Sequence, residues 1–333
     1  MKSSVVAIKP KLNKRVFSRL GIVLTCILLA LFGALLMAFP NRYIPVCFEG
    51  ICMWAECVLP SLFPFMVITL LLIKLGAADK AAKPFSKLSR KLKLPDYTLP
   101  LFIMGLCSGY PAGSRILCEF YEAGRLDERD CKCLAPLISA CGPLFAIGTV
   151  GFKAFGDSIA GVKLFICCLI SVVSTSLIYC LLQKRKTQAP TSRVVKKDDN
   201  VLYSSFTGAV NASITAGGFI CFFYTLSRAA AQIKILKPLE FILSLPFGKG
   251  CAEALCTGLI EATGGCFSLA SNGGFFALPL AGFLITFGGI SILLQQVCYL
   301  KKCKVKTSFF AGFKLLQGIV SFALLCILNL ICP

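Results

Sequence analysis

Nine stretches of about 20 mostly apolar residues follow one another along this chain, separated by short basic clusters. They lie at about 20–39, 51–73, 99–121, 134–155, 159–182, 206–233, 251–269, 275–298 and 308–331. A helix of that length spans the hydrocarbon of a bilayer, where every backbone group must find its partner inside the protein. The pattern predicts an all-α, polytopic membrane protein with about 7–9 membrane helices. With 57% hydrophobic and 15% charged residues and a mean hydropathy of +0.81, an ordinary water-soluble domain is excluded.

The charges are 35 Lys and Arg against 15 Asp and Glu. Such an excess often marks a nucleic-acid binder, but here it is gathered between apolar stretches, where it sets membrane orientation. Four clusters stand out: the N-terminus (Lys2 to Arg19), residues 74–93, residues 184–197, and Lys301, Lys302, Lys304 and Lys306. The positive-inside rule places all four in the cytoplasm. Two apolar segments separate the first pair of clusters, an even number that returns the chain to the same side. Three separate the second from the third, and three the third from the fourth. Each trio should therefore contain one segment that enters the membrane and turns back.

The segments most broken by Gly, Pro and polar residues are LPLFIMGLCSGYPAGSRILCEF (99–120) and CAEALCTGLIEATGGCFSLA (251–270), with FALPLAGFLITFGGISILLQQ close behind. One crossing separates the third cluster from the second hairpin, so the two hairpins dip in from opposite sides, as in an inverted repeat. The reading is seven crossings and two re-entrant hairpins or broken helices, with the N-terminus inside and the C-terminus outside. The run at 20–39 ends in Phe39-Pro40-Asn41-Arg42 without a small-x-small cleavage site, so it reads as an uncleaved first helix. The chain then divides into residues 1–45, a first half at 46–183, a solvated basic linker at 184–203 and a second half at 204–333.

With no histidine, the chain lacks Ser-His-Asp and Cys-His catalytic groups and the HExxH zinc helix. Twenty cysteines show no CxxC spacing and lie mostly inside apolar segments, where a thiol acts as a small hydrophobe. No enzyme activity and no cofactor are expected; the coupling ion, if any, is open.

Irregular backbone at membrane depth persists only where protein or a polar cavity satisfies it. In GLCSGYPAGSR, Gly105, Gly109 and Gly113 permit unusual torsions or close approach, and Pro111 suits the start of a helix. That helix start, with Ser108, Ser114 and Arg115, makes an anion seat. In the second half, GLIEATGG sets Glu261 and Thr263 beside Gly264 and Gly265, and TFGGISILLQQ sets Gly288 and Gly289 beside Ser291, Gln295 and Gln296. GLCSGYPAGSRIL matches TFGGISILLQQ loosely, a Gly-rich break followed by Ser and an apolar helix. LPSLFPF places Pro60, Ser61 and Pro64 after Glu56. Glycine in membrane helices also serves plain close packing, and Arg115 and Glu261 also fit a structural ion pair. Intramembrane ionisable groups nonetheless default to function, and Glu56 or Glu261 would suit a proton carrier.

LPSLFPF, GLCSGYPAGSRIL, SACGPLFAIGTVG and the pair GLIEATGG with FGGISILLQQ together resemble the YlbJ-type sporulation integral membrane proteins. That group belongs to the nucleoside-recognition "Gate" proteins, which are similar to concentrative nucleoside transporters and to the pore of ferrous-iron transporters. The resemblance covers about residues 46–155 and 250–331. It implies a multi-pass protein of the outer forespore membrane that moves dipicolinate, an aromatic dicarboxylate, from mother cell toward forespore. A dianion suits two helix N-termini and Arg115, with its ring against Tyr110, Phe63 or Phe65. The transporter comparison further implies Ser61, Phe65, Ser108, Arg115 and Glu261 as site residues. It also makes LPSLFPF the first hairpin and GLCSGYP a broken crossing, against the charge parity. Nucleoside or ferrous-ion transport, and a non-transporting scaffold for spore-envelope assembly, are the alternatives. The expected partners are the bilayer, a small anionic solute and further copies of the chain, with no nucleic acid.

Overall fold

The structure, a computed structural model, describes residues 12–91, 94–183 and 200–332. The basic N-terminal tip and most of the linker, 184–199, lie outside the described residues. The chain divides into two units at residue 46. The first holds α1 (Leu12–Ala38) and the opening of α2 (Pro40–Met53). Within α1, Gly21–Ala38 is long and apolar enough to cross a bilayer, and Ile22, Leu28 and Leu31 point outward.

In the second unit, a π-helical turn, Trp54–Val58, joins α2 to α3 (Leu59–Lys74), and α4 follows (Ala77–Lys91). α5 (Thr98–Ser108) and α6 (Ala112–Glu122) are two short helices back to back. α7 (Glu128–Ile138) is continued, after a break, by a π-helical segment, Leu144–Ala154, and then comes α8 (Ser158–Leu182). The same order then repeats. α9 (Val201–Gln232) is the long helix and α10 (Lys237–Phe247) the short one. α11 (Lys249–Ile260) and α12 (Ala262–Asn272) form the back-to-back pair. α13 (Ala277–Phe287) and α14 (Gly289–Leu300) form the broken helix, and α15 (Thr307–Ile331) closes the series.

The repeat is inverted. Lys74 bonds Ser204, Trp54 covers Gly217, and Gly50 packs on Cys221, so the first long helix and its counterpart α9 run antiparallel. Lys163 reaches the carbonyl of Cys332, Cys168 meets Ser321, and Ser171 meets Gln317, so α8 and its counterpart α15 do the same. An odd number of crossings per half produces this relation in a tandem duplication.

Both short pairs turn back on themselves, and small residues make that possible. A side chain at Gly113 would strike the carbonyl of Ile138 and lie 3.5 Å from Gly105 Cα. In the second half, a side chain at Gly258 would lie 3.1 Å from Gly265 Cα and against Leu284. Ile138 and Leu284 hold equivalent places, each in the last turn of the first piece of the broken helix in its own half. The hairpins are thus one segment of each trio, as charge parity requires, and in each the segment most broken by Gly, Pro and polar residues. LPSLFPF, by contrast, runs within the continuous α3. The structural partner of GLCSGYPAG is GLIEATGG, and TFGGISILLQQ pairs instead with SACGPLFAIGTVG; the sequence match between GLCSGYPAGSRIL and TFGGISILLQQ joined non-equivalent elements.

Polar contacts show which end each hairpin enters. Tyr97 bonds Asp79 at 3.0 Å, Asp79 pairs with Arg125 at 2.9 Å, Lys302 pairs with Glu122, and Lys304 with Glu128. The α5–α6 hairpin therefore opens at the end that carries the basic segments after α3 and α14. The α11–α12 hairpin opens at the other end, where Asn272 bonds the carbonyl of Gly250 and Asn329 that of Phe275.

Among the described residues six helices are long and apolar enough to cross a membrane, with α2 to α3 (Pro40–Lys74) counted as one and α13 and α14 counted as one. α7 and Leu144–Ala154 together make a seventh passage, lying along α8 from Cys133 near Cys180 to Gly151 against Gly161. Ile166, Ile170, Ile178, Ile319 and Ile327 form part of an outward apolar belt, unlike the surface of a water-soluble protein.

Candidate functional site

Four helix starts converge on one cavity. Gly109, Tyr110 and Pro111 bring the start of α6; Gly142 and Phe145 that of the π-helical segment; Thr263 that of α12; Ile292 and Gln295 the first turns of α14. Ser61 and Ser108 complete the polar lining, with Ala216 and Ile220 from α9 as an apolar wall. The cavity is about 30 Å³, room for a water or two. A larger solute needs one of the surrounding elements to move.

Local chemistry produces each break. Gly109 takes φ 66° at the end of α5, and Gly288 takes φ 94° at the end of α13, a left-handed backbone that favours glycine. Pro143 lacks the N–H that would continue α7. The first N–H groups of a helix carry no internal partner and a partial positive charge. The starts of α6, the π-helical segment and α14 have no side-chain cap. That of α12 does: Glu261, 1% exposed, accepts from the backbone of Thr263 at 3.0 Å and of Gly264 at 2.7 Å. In the second half, then, the protein's own carboxylate already occupies the anion seat.

Of the residues singled out in the sequence, Ser61, Ser108, Gly109, Tyr110, Thr263 and Gln295 line the cavity. The Ser108 hydroxyl lies 2.6 Å from that of Thr69 and also reaches the Phe65 carbonyl. Tyr110 donates to the carbonyl of Ile285 at 3.1 Å, and its ring meets Phe145 edge-on. Ser291 sits behind Gln295, which donates to it.

The others stand outside. Phe65 contributes its carbonyl, and Phe63 packs on Phe206. Gly113 and Gly265 are packing glycines, and Gly264 lies beneath the ring of Tyr224. Ser114 joins Ser139 and Gln296 in a separate buried cluster. Arg115 points away, donating to the Gly208 carbonyl at 2.6 Å and pairing with Glu119 at 3.0 Å. Glu56 is an exposed partner of Lys153.

Sequence reasoning missed two features. Gly142-Pro143 is a fourth break, announced by a Gly-Pro pair in an apolar run. Lys314, fully buried on α15, was visible as a lone charge inside the last apolar segment.

A second, more polar space lies away from the cavity. Between α9, α10, α11 and α12 lies a polar hollow of about 260 Å³ flanked by Arg228, Lys237, Glu240 and Glu253. In the first half, Arg115 lies with Met66, Leu70 and Ser108 in a small crevice among α3, α5 and α6.

Fold and site together define a class: an integral, multi-pass membrane protein whose inverted halves meet through broken helices around a small polar cavity. The chain is similar to sporulation integral membrane protein YlbJ of Bacillus subtilis strain 168, 23% identical over 337 aligned positions, covering 91% of this chain and 81% of that protein. This chain-long similarity supports the YlbJ-type assignment drawn from the motifs. No family model matches the chain. No solved structure matches it.

Proposed function

We propose that the protein is a carrier for a small organic anion, dipicolinate, acting in sporulation by alternating access from the outer forespore membrane. The observation that carries this reading is the convergence of four helix starts on one cavity, three of them without a side-chain cap. Such a place favours negative charge, and backbone N–H groups match carboxylate oxygens. Tyr110 and Phe145 offer aromatic faces at the same point. The relative's name supports the sporulation setting. The hairpins that open at opposite ends, and the inverted order of the two halves, support alternation between the two sides.

Nucleoside and ferrous-ion transport are the competing cargoes. Among the described residues no three His, Cys, Asp or Glu side chains gather as a metal ion would require, which favours the anion. The test is uptake into proteoliposomes of labelled dipicolinate, uridine and ferrous ion, each challenged by the other two. Saturable dipicolinate uptake, untouched by uridine and iron, is expected. Uridine or iron uptake instead overturns the choice of solute, and absence of flux for all three leaves the scaffold reading.

A further inference from the structure

Lys314 on α15 is 0% exposed, and its amine donates to the carbonyl of Ser139 at 2.8 Å. Ser139 ends α7, so the amine sits at the negative end of a broken helix. The ionisable groups facing it are the thiols of Cys141, in the break after α7, and of Cys168 on α8. α7, α13 and α14 bring carbonyls, hydroxyls and amides to this cluster, and among the described residues no carboxylate pairs with the amine. A bare ammonium at this depth is costly, and one helix end offsets only part of that cost.

Among the described residues, polar groups without partners lie in the same network. The Ser139 hydroxyl lies 3.1 Å from Ser114, whose own hydroxyl donates to Gln296. The Nε2 of Gln296 is a buried donor without a partner among the described residues, and the Oε1 of Gln317, three residues beyond Lys314, is a buried acceptor without one. A neutral amine accepts one hydrogen bond and an ammonium donates three, and the polar groups linked to Ser139 and to Gln317 carry one unused donor and one unused acceptor among the described residues. Unpaired buried polar atoms are rare in folded proteins and ask for a reason. The cluster also borders the cavity: Gln295 lines it, and Pro111 and Gly142 lie three residues from Ser114 and Ser139.

Resting on the transport reading, we propose that Lys314 is the proton-carrying group of the cycle, taking a proton onto its amine from one side of the membrane and releasing it to the other in step with the solute. The chemistry is a single N–H bond made and then broken. The nitrogen lone pair is used and returned, and no electron is transferred.

The experiment uses the full chain in proteoliposomes with pyranine inside and the membrane potential clamped by potassium and valinomycin. In the wild type, dipicolinate movement shifts the internal pH, and each unit of imposed gradient sustains a solute ratio of roughly tenfold per coupled proton. Lys314→Met, neutral, and Lys314→Arg, permanently charged, are expected to exchange labelled for unlabelled solute while losing the gradient-driven accumulation. Accumulation at the wild-type level in either variant overturns the role of Lys314 and leaves transport standing. Solute movement without a pH shift in the wild type overturns it without any variant. Uridine runs in parallel: if it alone moves, driven by pH and dependent on Lys314, the proton role stands and dipicolinate falls. If nothing moves, both fall.

Discussion

The guanidinium of Arg115 is committed to the backbone carbonyl of Gly208, 2.6 Å away on α9, and so ties the first hairpin to the long helix of the opposite half. Its other nitrogen contact is Glu119, one turn along the same helix. A side chain at Gly208 would meet the Arg115 Nη2 at 2.9 Å, so the glycine makes room for the tie.

Arg115→Ala should therefore act on stability and turnover ahead of solute affinity. A hydrogen bond from a charged group is worth about 1.5–3 kcal/mol, enough to lower the thermal midpoint of the purified protein by several degrees. The solute concentration for half-maximal uptake should change by less than about threefold, because a shift below about 0.7 kcal/mol is expected of a group outside the cavity. A tenfold rise would place the guanidinium on the solute after all.

The hairpin glycines give a contrast between crowded and open positions. Gly265→Ala and Gly113→Ala force a methyl into Gly258 and into the Ile138 carbonyl respectively, and overpacking of this kind costs about 1–3 kcal/mol. Gly218→Ala on α9 and Gly312→Ala on α15 meet nothing within 4 Å and should hold or gain stability, by up to about 1 kcal/mol. Thermal unfolding of the four variants in one detergent separates the pairs; equal losses would mean that neither hairpin is clamped as described.

Glu261 competes with any anion for the start of α12. Replacing it by Gln removes the charge and keeps the shape, so dipicolinate should bind about 2- to 30-fold tighter, matching the roughly 0.3–2 kcal/mol of a charge at a helix end. Glu261→Ala also loses the cap and should cost about 0.5–2 kcal/mol of stability. Ligand-induced thermal shifts measure both. Weaker binding in the Gln variant would show that the carboxylate serves the solute or its counter-ion.

The basic loop after α14 should matter for orientation and little for strength. Lys304–Glu128 and Lys302–Glu122 are well exposed pairs, and such bridges contribute about 0–1 kcal/mol. Glu128→Gln should leave the midpoint nearly unchanged. Changing Lys301, Lys302, Lys304 and Lys306 together to Gln should cause part of the protein to insert with this loop on the wrong side. Reporter fusions at residue 304 would read the mixture; a uniform cytoplasmic signal would show that the loop does not set topology.

Charge parity asked for one hairpin in each trio because it uses only the count of crossings between basic clusters, and the Gly, Pro and polar breaks in 99–120 and 251–270 then picked the segment. Side-chain roles were harder to read. Arg115 looked like part of a solute seat because it follows a helix start, yet whether it turns inward depends on the Gly208 carbonyl, 93 residues away. Glu261 was visible as a charge at membrane depth, but spacing alone does not reveal that it bonds the two N–H groups just ahead of it. The repeat was mispaired because Gly-rich breaks occur in four elements, and only the packing of Gly113 on Ile138 and of Gly265 on Leu284 shows which are equivalent. Lys314 was overlooked because a single lysine in the final apolar run has no motif around it.

On the alternating-access reading proposed above, a molecule assembled from two similar, oppositely oriented portions reaches a second shape when each portion adopts the posture its sibling now holds. The preference between the two shapes then lies wherever the siblings disagree, and the sharpest disagreement is at their hairpin tips, Gly109-Tyr110-Pro111 in one and the lone Glu261 in the other. Making those tips alike should flatten the landscape and leave the protein without a favoured side.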